Sequence, residues 1–483
     1  LMSTHKAIVF SFLDRYASLG LGIVSSMIIA RILTPAEIGT FSVTMVLLAF
    51  LSTVRDFGAG EYLVQEKDLT KQRIQAVWAV QLGLGLFLAL IVLVAAYPVA
   101  SFYNEPKMAD IMLVIAVNYA INPFGSLTYA YLIREMRFDS IALIRFSGTL
   151  VGALVSLALA WQGYGPISLA LGMLTSTLVS AATSIYFRPK SFPWLPGLAE
   201  VGRVLSFGGK LTSTSLMNAF GSNTPELVLG KLQDMVSVGF YSRSSGLVAM
   251  FSHLITSPIM SVAMSWFAKQ RREQGDFSES FLKATSYITA LGWSFCCALI
   301  LLAHPITRVL YGPQWDASVE VTRILAVGYI FAAPVALSSV ALIAAGEATK
   351  VFKATAMSTA VTVALAAAGA SFGLSILAWA MTGTAVVSAL IWIRTVQAVV
   401  KFQWRDLLSV MSRSAVVSAF SVLGPLVVFI YLGAEPQNSF VALVLGGVGC
   451  AVGFLVGVIV FRHPLKEELV PLWVRFRSRL KPS

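Results

Sequence analysis

The stretch ARILTPAEIGTFS at residues 30–42 recurs in altered form as GKLQDMVSVGFYS at residues 230–242, an offset of 200. The identical pairs are Gly39/Gly239 and Ser42/Ser242, and the similar pairs are Arg31/Lys231, Ile38/Val238 and Phe41/Tyr241. Three more identical pairs follow at the same offset: Leu47/Leu247, Ala49/Ala249 and Ser52/Ser252. A constant offset over so many positions predicts that the chain contains two related halves.

The composition around this repeat is that of a membrane protein. Of the 483 residues, 57% are hydrophobic and only 12% are charged, and the mean hydropathy is +0.79. Soluble domains carry about 25% charged residues. The net charge of +12 lies in loops and in the C-terminal tail, not in a basic stripe on a soluble domain, so we expect no nucleic-acid partner.

Apolar runs of about 20 residues can each cross a bilayer as a helix. Breaks that contain Pro, Gly or charge separate the runs, and the sequence predicts an all-α integral membrane protein with about fourteen transmembrane helices. The predicted spans are 7–30, 37–56, 76–98, 108–131, 140–161, 166–187, 205–229, 237–266, 281–303, 318–344, 353–371, 374–396, 411–432 and 440–461.

The orientation follows from the preference of Lys and Arg for cytoplasmic loops. With a cytoplasmic N-terminus, the segments on that side hold 25 of the 35 basic residues, and the opposite loops hold four. This asymmetry predicts an even number of spans and two cytoplasmic termini. We expect no cleaved signal peptide, because a short basic start runs directly into a full-length apolar span.

The repeat also predicts the domain organisation. Residues 1–200 form an N-lobe with spans 1–6, residues 201–400 form a C-lobe with spans 7–12, and residues 401–483 hold spans 13–14 and a basic cytoplasmic tail. Six spans separate equivalent elements, so the repeats are parallel and related by an axis along the membrane normal. Such two-lobed transporters bind substrate between the lobes near the bilayer midplane and alternate access by rocking.

A polar stripe marks one face of the first span. Ser11, Arg15, Ser18, Gly22 and Ser25 follow one another at spacings of four and three, which places them on one side of a helix. Small polar residues commonly mediate helix packing, so each Ser or Gly fits either packing or a polar cavity. Arg15 argues for the cavity, because a charge at the bilayer centre costs about 2.5–3.5 kcal/mol and is usually functional.

No residue spacing indicates catalysis or a metal. Cys296, Cys297 and Cys450 lie in apolar runs without zinc or disulfide spacing. We therefore expect neither an enzyme nor a resident cofactor.

Several stretches resemble a known family. These are DFGAGEYLVQEKDLTKQRIQAVWAVQLGLGLFLAL (56–90), ASFYNEPKM (100–108), YLIREMRFDSIALIR (131–145) and RVLYGPQWDASVEVTRILAVGYIF (308–331). They are similar to bacterial Wzx-type polysaccharide flippases, in the polysaccharide-transport branch of the multidrug/oligosaccharidyl-lipid/polysaccharide (MOP) exporter superfamily. The resemblance implies an inner-membrane protein of two lobes around a V-shaped central cavity.

The resemblance also implies a function. Such proteins move polyprenyl-diphosphate-linked oligosaccharide repeat units from the cytoplasmic to the periplasmic leaflet, for exopolysaccharide, O-antigen or capsule synthesis. Membrane lipids, a polysaccharide polymerase and export machinery are the further partners expected. Basic residues line the family's cavity, and the candidates here for binding the diphosphate are Arg15, Arg55, Lys210 and Arg243.

Other polar residues in the spans have two interpretations each. Sugar contacts are one role for Asn118, Tyr119, Asn122, Asn218 and Asn223, and bonds between neighbouring helices are the other. Asp14 and Glu226 are candidates for a coupling proton or sodium ion. Asp14 equally fits pairing with Arg15, and Glu226 equally fits a salt bridge to Lys231 or Arg243.

Three alternative functions stay open. A membrane glycosyltransferase or polymerase would need a large periplasmic loop with acidic metal-binding residues or arginines, whereas these loops are short and nearly uncharged. A cation or drug exporter of the sister family usually depends on acidic cavity residues. A flippase for the peptidoglycan lipid precursor would share cavity arginines, but the REMRF element at 134–138 favours the polysaccharide branch. Arg134 and Arg137 in that element fit orientation by charge and contact with anionic lipid better than a headgroup site.

Overall fold

The computed structural model describes residues 4–55, 59–273 and 275–468, and the side chains at 4–16, 61, 206–215 and 218 lie outside that description. Within the described residues, the chain forms helices joined by short turns and contains no β-strand. The predicted all-α class is therefore confirmed.

The described ranges contain eighteen α-helices. Their bounds are α1 Thr4–Ile32, α2 Pro35–Arg55, α3 Ala59–Gln65, α4 Lys71–Tyr103, α5 Lys107–Ile121, α6 Pro123–Arg134, α7 Phe138–Trp161, α8 Ile167–Tyr186, α9 Val201–Leu232, α10 Met235–Phe251, α11 Ser257–Arg272, α12 Phe277–Leu310, α13 Ser318–Ala332, α14 Ser338–Ala344, α15 Ala348–Ala370, α16 Leu374–Val400, α17 Trp404–Leu432 and α18 Ser439–Val460. A π-helical turn, Ser252–Thr256, joins α10 to α11, and a 3₁₀ turn, Ala333–Val335, lies between α13 and α14.

The long helices coincide with the predicted spans. In the described part of the chain, eleven helical segments are long and apolar enough to cross a membrane, or twelve when α5 and α6 count as one bent span. The predicted spans 7–30 and 205–229 overlap α1 and α9, in which runs of side chains lie outside the description. The chain is thus a multi-pass membrane protein, and the total of fourteen spans stays a prediction.

Local sequence explains where the helices begin and end. Thr34 and Glu37 form a capping box before α2: Thr34 Oγ1 accepts from the Glu37 amide at 3.3 Å, and Glu37 Oε2 accepts from the Thr34 amide at 3.1 Å. Thr70 caps α4 by accepting from the Arg73 amide, and Asn104, directly after the last residue of α4, closes the final turn with a left-handed backbone. These caps satisfy backbone groups that a helix end leaves unpaired.

The chain divides into two compact units, residues 1–239 and 240–483. In the first unit, α9 packs against α2 and α4, so it belongs with the six spans that precede it. The predicted three-part division at 200 and 400 follows the sequence repeat and stays a prediction. The second unit contains α11 to α18 and most of α10.

Small residues bring helices together in both units. In the first, Gly152 of α7 lies so near α8 that an added Cβ would be 2.7 Å from Ser176 Cβ. In the second, a Cβ on Gly424 of α17 would be 2.4 Å from the Gly449 backbone of α18. Close backbone approach through Gly and Ser is the usual way that membrane helices associate, because lipid provides no hydrophobic drive.

Candidate functional site

The span formed by α5 and α6 is broken in the middle of the first unit. Its two halves meet at Asn122 and are bent by 50°. Pro123 occupies the first position of α6, where its missing N–H breaks the backbone ladder. Broken spans of this kind are tolerated where they are buried in protein or line a polar cavity, and transporters use them at binding sites.

A cavity of about 440 Å³ lies beside this break. Parts of α2, α3, α4 and α6 enclose it. Its lining consists of Arg55, Ala59, Gly60, Val64, Gln65, Gln81, Asn122, Pro123, Ser126, Tyr129, Ala130 and Ile133. Among these lining residues, Arg55 carries the one charge, and the others are amides, hydroxyls or apolar groups. We refer to this cavity as the Arg55 pocket.

Arg55 ends α2 and is held over an aromatic ring. Its guanidinium carbon lies 5.6 Å from the centre of the Tyr119 ring, a distance at which the cation is attracted by the ring face. Tyr119 is buried and held in turn: its hydroxyl donates to the Leu48 carbonyl oxygen at 2.8 Å and lies 2.8 Å from Ser52 Oγ. Tyr119 is therefore held in place beneath Arg55, and its predicted sugar contact stays a prediction.

Gln81 enters the pocket from α4. One helical turn further on, Gly85 lies directly against the break, where an added Cβ would be 2.6 Å from Pro123 Cγ. Residues four apart share a helix face, so the contact at Gly85 places Gln81 on the side of α4 that faces the break. Gln81 is 9% exposed, and in the described part of the chain its side-chain carbonyl oxygen Oε1 has no hydrogen-bond partner.

Arg134 holds α3 as a wall of the pocket. Its guanidinium donates to the carbonyl oxygens of Leu63 at 3.0 Å and Val64 at 3.3 Å, to that of Glu66, and to that of Lys67 at 3.1 Å. These carbonyl groups lie at the end of α3, where a helix has no partners of its own for them. The REMRF arginine, which the sequence assigned to orientation and lipid contact, thus caps a neighbouring helix.

Charged groups order the connection between α3 and α4. Glu66 lies 3.3 Å from guanidinium nitrogens of both Arg73 and Arg203. A hydrogen bond from Tyr62, together with these two cations, holds the pKa of Glu66 below its ordinary value. Arg203 belongs to the first turn of α9, so the ion pair ties α9 to the α3–α4 connection.

The segment between α8 and α9 packs against α4. Arg188 is buried between two indole rings, 5.4 Å from Trp78 and 4.1 Å from Trp194, and donates to the Pro193 carbonyl oxygen at 2.7 Å. Burial lowers the pKa of this guanidinium. Trp78 in α4 also donates from Nε1 to the Trp194 carbonyl oxygen at 3.0 Å. Residues 188–194 are therefore a docked strap and not a free loop.

Arg243, a predicted diphosphate ligand, lies in the second unit against aromatic rings. Its guanidinium carbon is 5.2 Å from the Tyr311 ring and 5.6 Å from the Trp315 ring. Both rings belong to the YGPQW turn that follows α12, and Trp315 is fully buried. The aromatic contacts hold Arg243 against that turn, and its predicted contact with the diphosphate stays a prediction.

Of the other predicted residues, Asn122 lines the Arg55 pocket, whereas Asn118 is buried one turn earlier and Asn223 is half-buried in α9. Glu226 accepts a hydrogen bond from Ser42 at 2.5 Å, which links α9 to α2. The predicted contacts at Asp14, Arg15, Lys210 and Asn218 involve side chains that lie outside the described residues.

Sequence reasoning did not identify Gln81, Ser126 and Tyr129 as site residues. Gln81 had a detectable signal, because it is a single amide in the apolar run AVWAVQLGLGL, residues 76–86. Ser126 and Tyr129 had none, since similar residues occur throughout the spans. Among the described residues, no three His, Cys, Asp or Glu side chains cluster as a metal site would require.

The fold of the chain is the helical architecture of solved membrane transporters of the MOP superfamily. A solved structure of the lipid II flippase MurJ in an inward closed conformation matches 96% of this chain and 100% of its own, with a TM-score of 0.78 at 15% identity. An inward-facing multidrug resistance transporter of the MATE family matches 85% of this chain and 98% of its own, with a TM-score of 0.63 at 14% identity.

The chain belongs to the family described as "Polysaccharide biosynthesis protein", which matches residues 28–320. It is similar to the lipopolysaccharide biosynthesis protein WzxC of Escherichia coli (strain K12), with 24% identity over 64% of this chain and 63% of that protein. It is also similar to the succinoglycan biosynthesis transport protein ExoT of Rhizobium meliloti (strain 1021), with 23% identity over 98% and 96%. The resemblance inferred from the sequence is therefore confirmed.

Proposed function

We propose that this protein is a flippase that moves polyprenyl-diphosphate-linked oligosaccharide repeat units from the cytoplasmic to the periplasmic leaflet by alternating access. In this proposal it resides in the bacterial inner membrane with both termini in the cytoplasm, as the distribution of Lys and Arg favours. The lipid-linked units would then reach a polysaccharide polymerase and export machinery.

The Arg55 pocket is the observation that carries the proposal. It combines one guanidinium with amide and hydroxyl groups beside a broken span, in a chain that is otherwise built for lipid. A diphosphate headgroup cannot cross hydrocarbon unaided, because moving an unpaired charge from water into an apolar medium costs on the order of tens of kcal/mol. A cation that is always protonated and can bind phosphate oxygens bidentately lowers that cost.

Arg55 is the residue we assign to the diphosphate, with Arg15, Lys210 and Arg243 as further cationic contacts during the transport cycle. The ring of Tyr119 beneath Arg55 restricts the orientation of the guanidinium without neutralising its charge. A positioned cation loses less conformational entropy when it binds an anion than a mobile surface Lys or Arg does.

Energy would come from a proton or sodium ion, and Glu226 is the acid we assign to that coupling, with Asp14 as the second candidate. Glu226 lies within α9 and bonds to Ser42 of α2. Protonation would weaken the charge-assisted bond between these helices. A contact between two spans that depends on ion binding can shift the equilibrium between two conformations.

The charge of the pocket distinguishes this proposal from export of a cation. No described residue that lines the pocket is acidic, whereas a cation or drug exporter usually depends on acidic cavity residues. A flippase for a peptidoglycan precursor would use the same diphosphate chemistry, and only the glycan it accepts separates it from the function proposed here.

The test combines genetics with transport. The gene is deleted in its host, and lipid-linked oligosaccharides are extracted from inside-out and right-side-out membrane vesicles. The proposal predicts that completed lipid-linked units accumulate on the cytoplasmic side in the deletion strain. The wild-type gene should restore them to the periplasmic side, and an Arg55→Ala variant present at equal level should not. An unchanged distribution of lipid-linked units in the deletion strain would refute the proposal.

A further inference from the structure

A second cavity lies within the second unit, between α11, α12 and the segment 462–468 that follows α18. Its volume is about 530 Å³, which is within the range of roughly 300–1,000 Å³ that small-molecule sites occupy. Two contacts hold the segment against α12: Glu467 Oε2 lies 2.9 Å from Lys283 Nζ, and the Tyr287 hydroxyl donates to Glu468 Oε1 at 3.4 Å. We refer to this cavity as the α11–α12 groove.

The groove changes from apolar to polar along its length. Its apolar end is lined by Pro258, Ile259 and Val262 of α11 and by Leu291 of α12. Lys283, at the polar end, precedes Leu291 by about 12 Å along the axis of α12, since an α-helix rises about 1.5 Å per residue. A site with this gradient suits an amphiphile, with a chain at one end and a headgroup at the other.

The polar end lies near the water boundary of the membrane. Lys269, Arg271 and Arg272 occupy the last turn of α11, and α12 begins nearby at Phe277, so Lys283 is less than two turns from the start of its helix. Trp266 and Tyr287 line the same end. Trp and Tyr accumulate at membrane interfaces, and a Lys there can extend its amine toward the headgroups.

The polar end carries charges of both signs. Lys283 provides an ammonium with three N–H donors, and its contact with Glu467 requires only one of them. Glu468 provides a carboxylate with two acceptor oxygens, and Tyr287 donates to one. The Lys283 and Glu467 side chains are 34% and 70% exposed, so both are accessible to a ligand. The groove can therefore bind an anionic group and a hydrogen-bonding cation side by side.

We infer that the α11–α12 groove binds a phospholipid with a primary-amine headgroup, of the phosphatidylethanolamine type. An acyl chain lies along the apolar end, the phosphate contacts Lys283, and the headgroup ammonium donates to Glu468. A purely anionic headgroup would face the carboxylates of Glu467 and Glu468, and a choline headgroup has no N–H to donate. The lipid belongs to the surrounding bilayer and is not the transported substrate, and it joins α11 and α12 to the segment 462–468.

The experiment measures lipid retention by the purified full-length protein with native mass spectrometry. Phosphatidylethanolamine, phosphatidylcholine and phosphatidylglycerol with identical acyl chains are the probes. The variants are Lys283→Gln, Glu468→Gln and the control Glu347→Gln. Glu347 also pairs with a lysine, Lys350, at 3.0 Å, but it does not line the groove.

We expect the wild type to retain phosphatidylethanolamine about tenfold better than either other lipid, which is the effect of one hydrogen bond to a charged group. Glu468→Gln should abolish the preference over phosphatidylcholine, because the amide has no charge. Lys283→Gln should weaken retention of all three lipids, because each has a phosphate. Glu347→Gln should behave as the wild type. Phosphatidylethanolamine should also slow hydrogen exchange of residues 462–468 in the wild type and not in Glu468→Gln.

The wild-type comparison requires no variant, so a variant that misfolds does not remove the test. Equal retention of the three lipids would mean that the groove holds acyl chains without reading the headgroup, and strongest retention of phosphatidylglycerol would mean an anion site. Either result overturns the inference. It is also overturned if Glu468→Gln keeps the preference, or if this variant changes exchange of residues 462–468 while the lipid preference is intact, because Glu468 then acts only in docking the segment.

Discussion

Gly39 and Gly239 lie against each other in a reciprocal contact. A Cβ on Gly39 would be 1.8 Å from the Met235 carbonyl oxygen, and a Cβ on Gly239 would be 2.1 Å from the Pro35 carbonyl oxygen. The two contacts are related by the offset of 200 that the sequence repeat revealed. Contacts that exchange in this way are the property of a two-fold interface, here a local one between repeated segments of one chain.

Substitution of either glycine should separate these segments. Gly39→Ala and Gly239→Ala each place a methyl group against backbone, which cannot move aside as a side chain can, so each should destabilise the protein by roughly 1–3 kcal/mol. Thermal unfolding in detergent measures this. Gly246→Ala is the control, because its added Cβ has nothing within 4 Å and should be neutral or stabilising. Equal melting temperatures for all three variants would contradict the close contact.

Substitutions of Arg55 and Tyr119 should affect transport and stability differently. Tyr119→Phe keeps the ring under the guanidinium but removes the hydroxyl that bonds to Leu48 and Ser52, so we expect a loss of about 1 kcal/mol of stability and near-normal transport. Arg55→Ala should retain stability and lose transport by at least tenfold, with Arg55→Lys between them. Lipid-linked oligosaccharide translocation and thermal unfolding are measured in parallel. If Tyr119→Phe lost transport at unchanged stability, the Tyr119 hydroxyl itself would take part in transport.

Removal of Arg134 should loosen α3. Arg134→Ala leaves four carbonyl groups at the end of that helix without their donor, and we expect about 2 kcal/mol of local destabilisation. Arg134→Lys should restore little of this stability, because a compact ammonium cannot reach carbonyl groups in several directions as a planar guanidinium does. Hydrogen exchange of residues 59–67 gives the readout. The control is Lys67→Ala, which removes a charge from the same connection and leaves the Arg134 guanidinium in place. Hydrogen exchange of residues 59–67 as fast in Lys67→Ala as in Arg134→Ala would argue against the capping role.

Acid should release the segment after α18. His463 is buried: its Nδ1 accepts from the Leu465 amide at 3.3 Å, and Nε2 lies 3.3 Å from Ser414 Oγ. Burial, with a contribution from Arg413, lowers the pKa of His463 to about 4. The pKa in the unfolded chain is about 6.5, so the docked state is most stable above that value. Stability should fall by about 1.4 kcal/mol per pH unit as the pH drops from 6.5 toward 4.

Limited proteolysis of residues 462–468 between pH 7 and pH 4 measures this release. The ion pair Lys283–Glu467, at 2.9 Å, also holds the segment, so the control must isolate the imidazole. His463→Gln cannot titrate and should show a flatter profile over the same range. A profile identical to that of the wild type would show that His463 does not control the release.

The amino-acid sequence by itself determined the helical membrane class, the position of nearly every long helix and the repeat at an offset of 200. These are local or additive properties: hydropathy is summed over about 20 neighbouring residues, and a repeat is read by comparison of letters. Two members of the pocket could be named in the same way. Arg55 is a charge at the end of a span, and Asn122 is an amide beside Pro123.

Tertiary structure alone decided which partner each polar group meets. From the sequence, Arg134 is a charge that orients the protein in the membrane. The structure shows that it caps the end of α3, about 70 residues earlier in the chain. Arg188 lies 110 residues from Trp78, whose ring it contacts. Gln81 is a single amide in an apolar run, and only the packing of α4 against the bent span brings it to the lining of the Arg55 pocket. The physical reason is that a guanidinium or an amide has several equivalent partners in any sequence, and only the packing of distant helices selects among them.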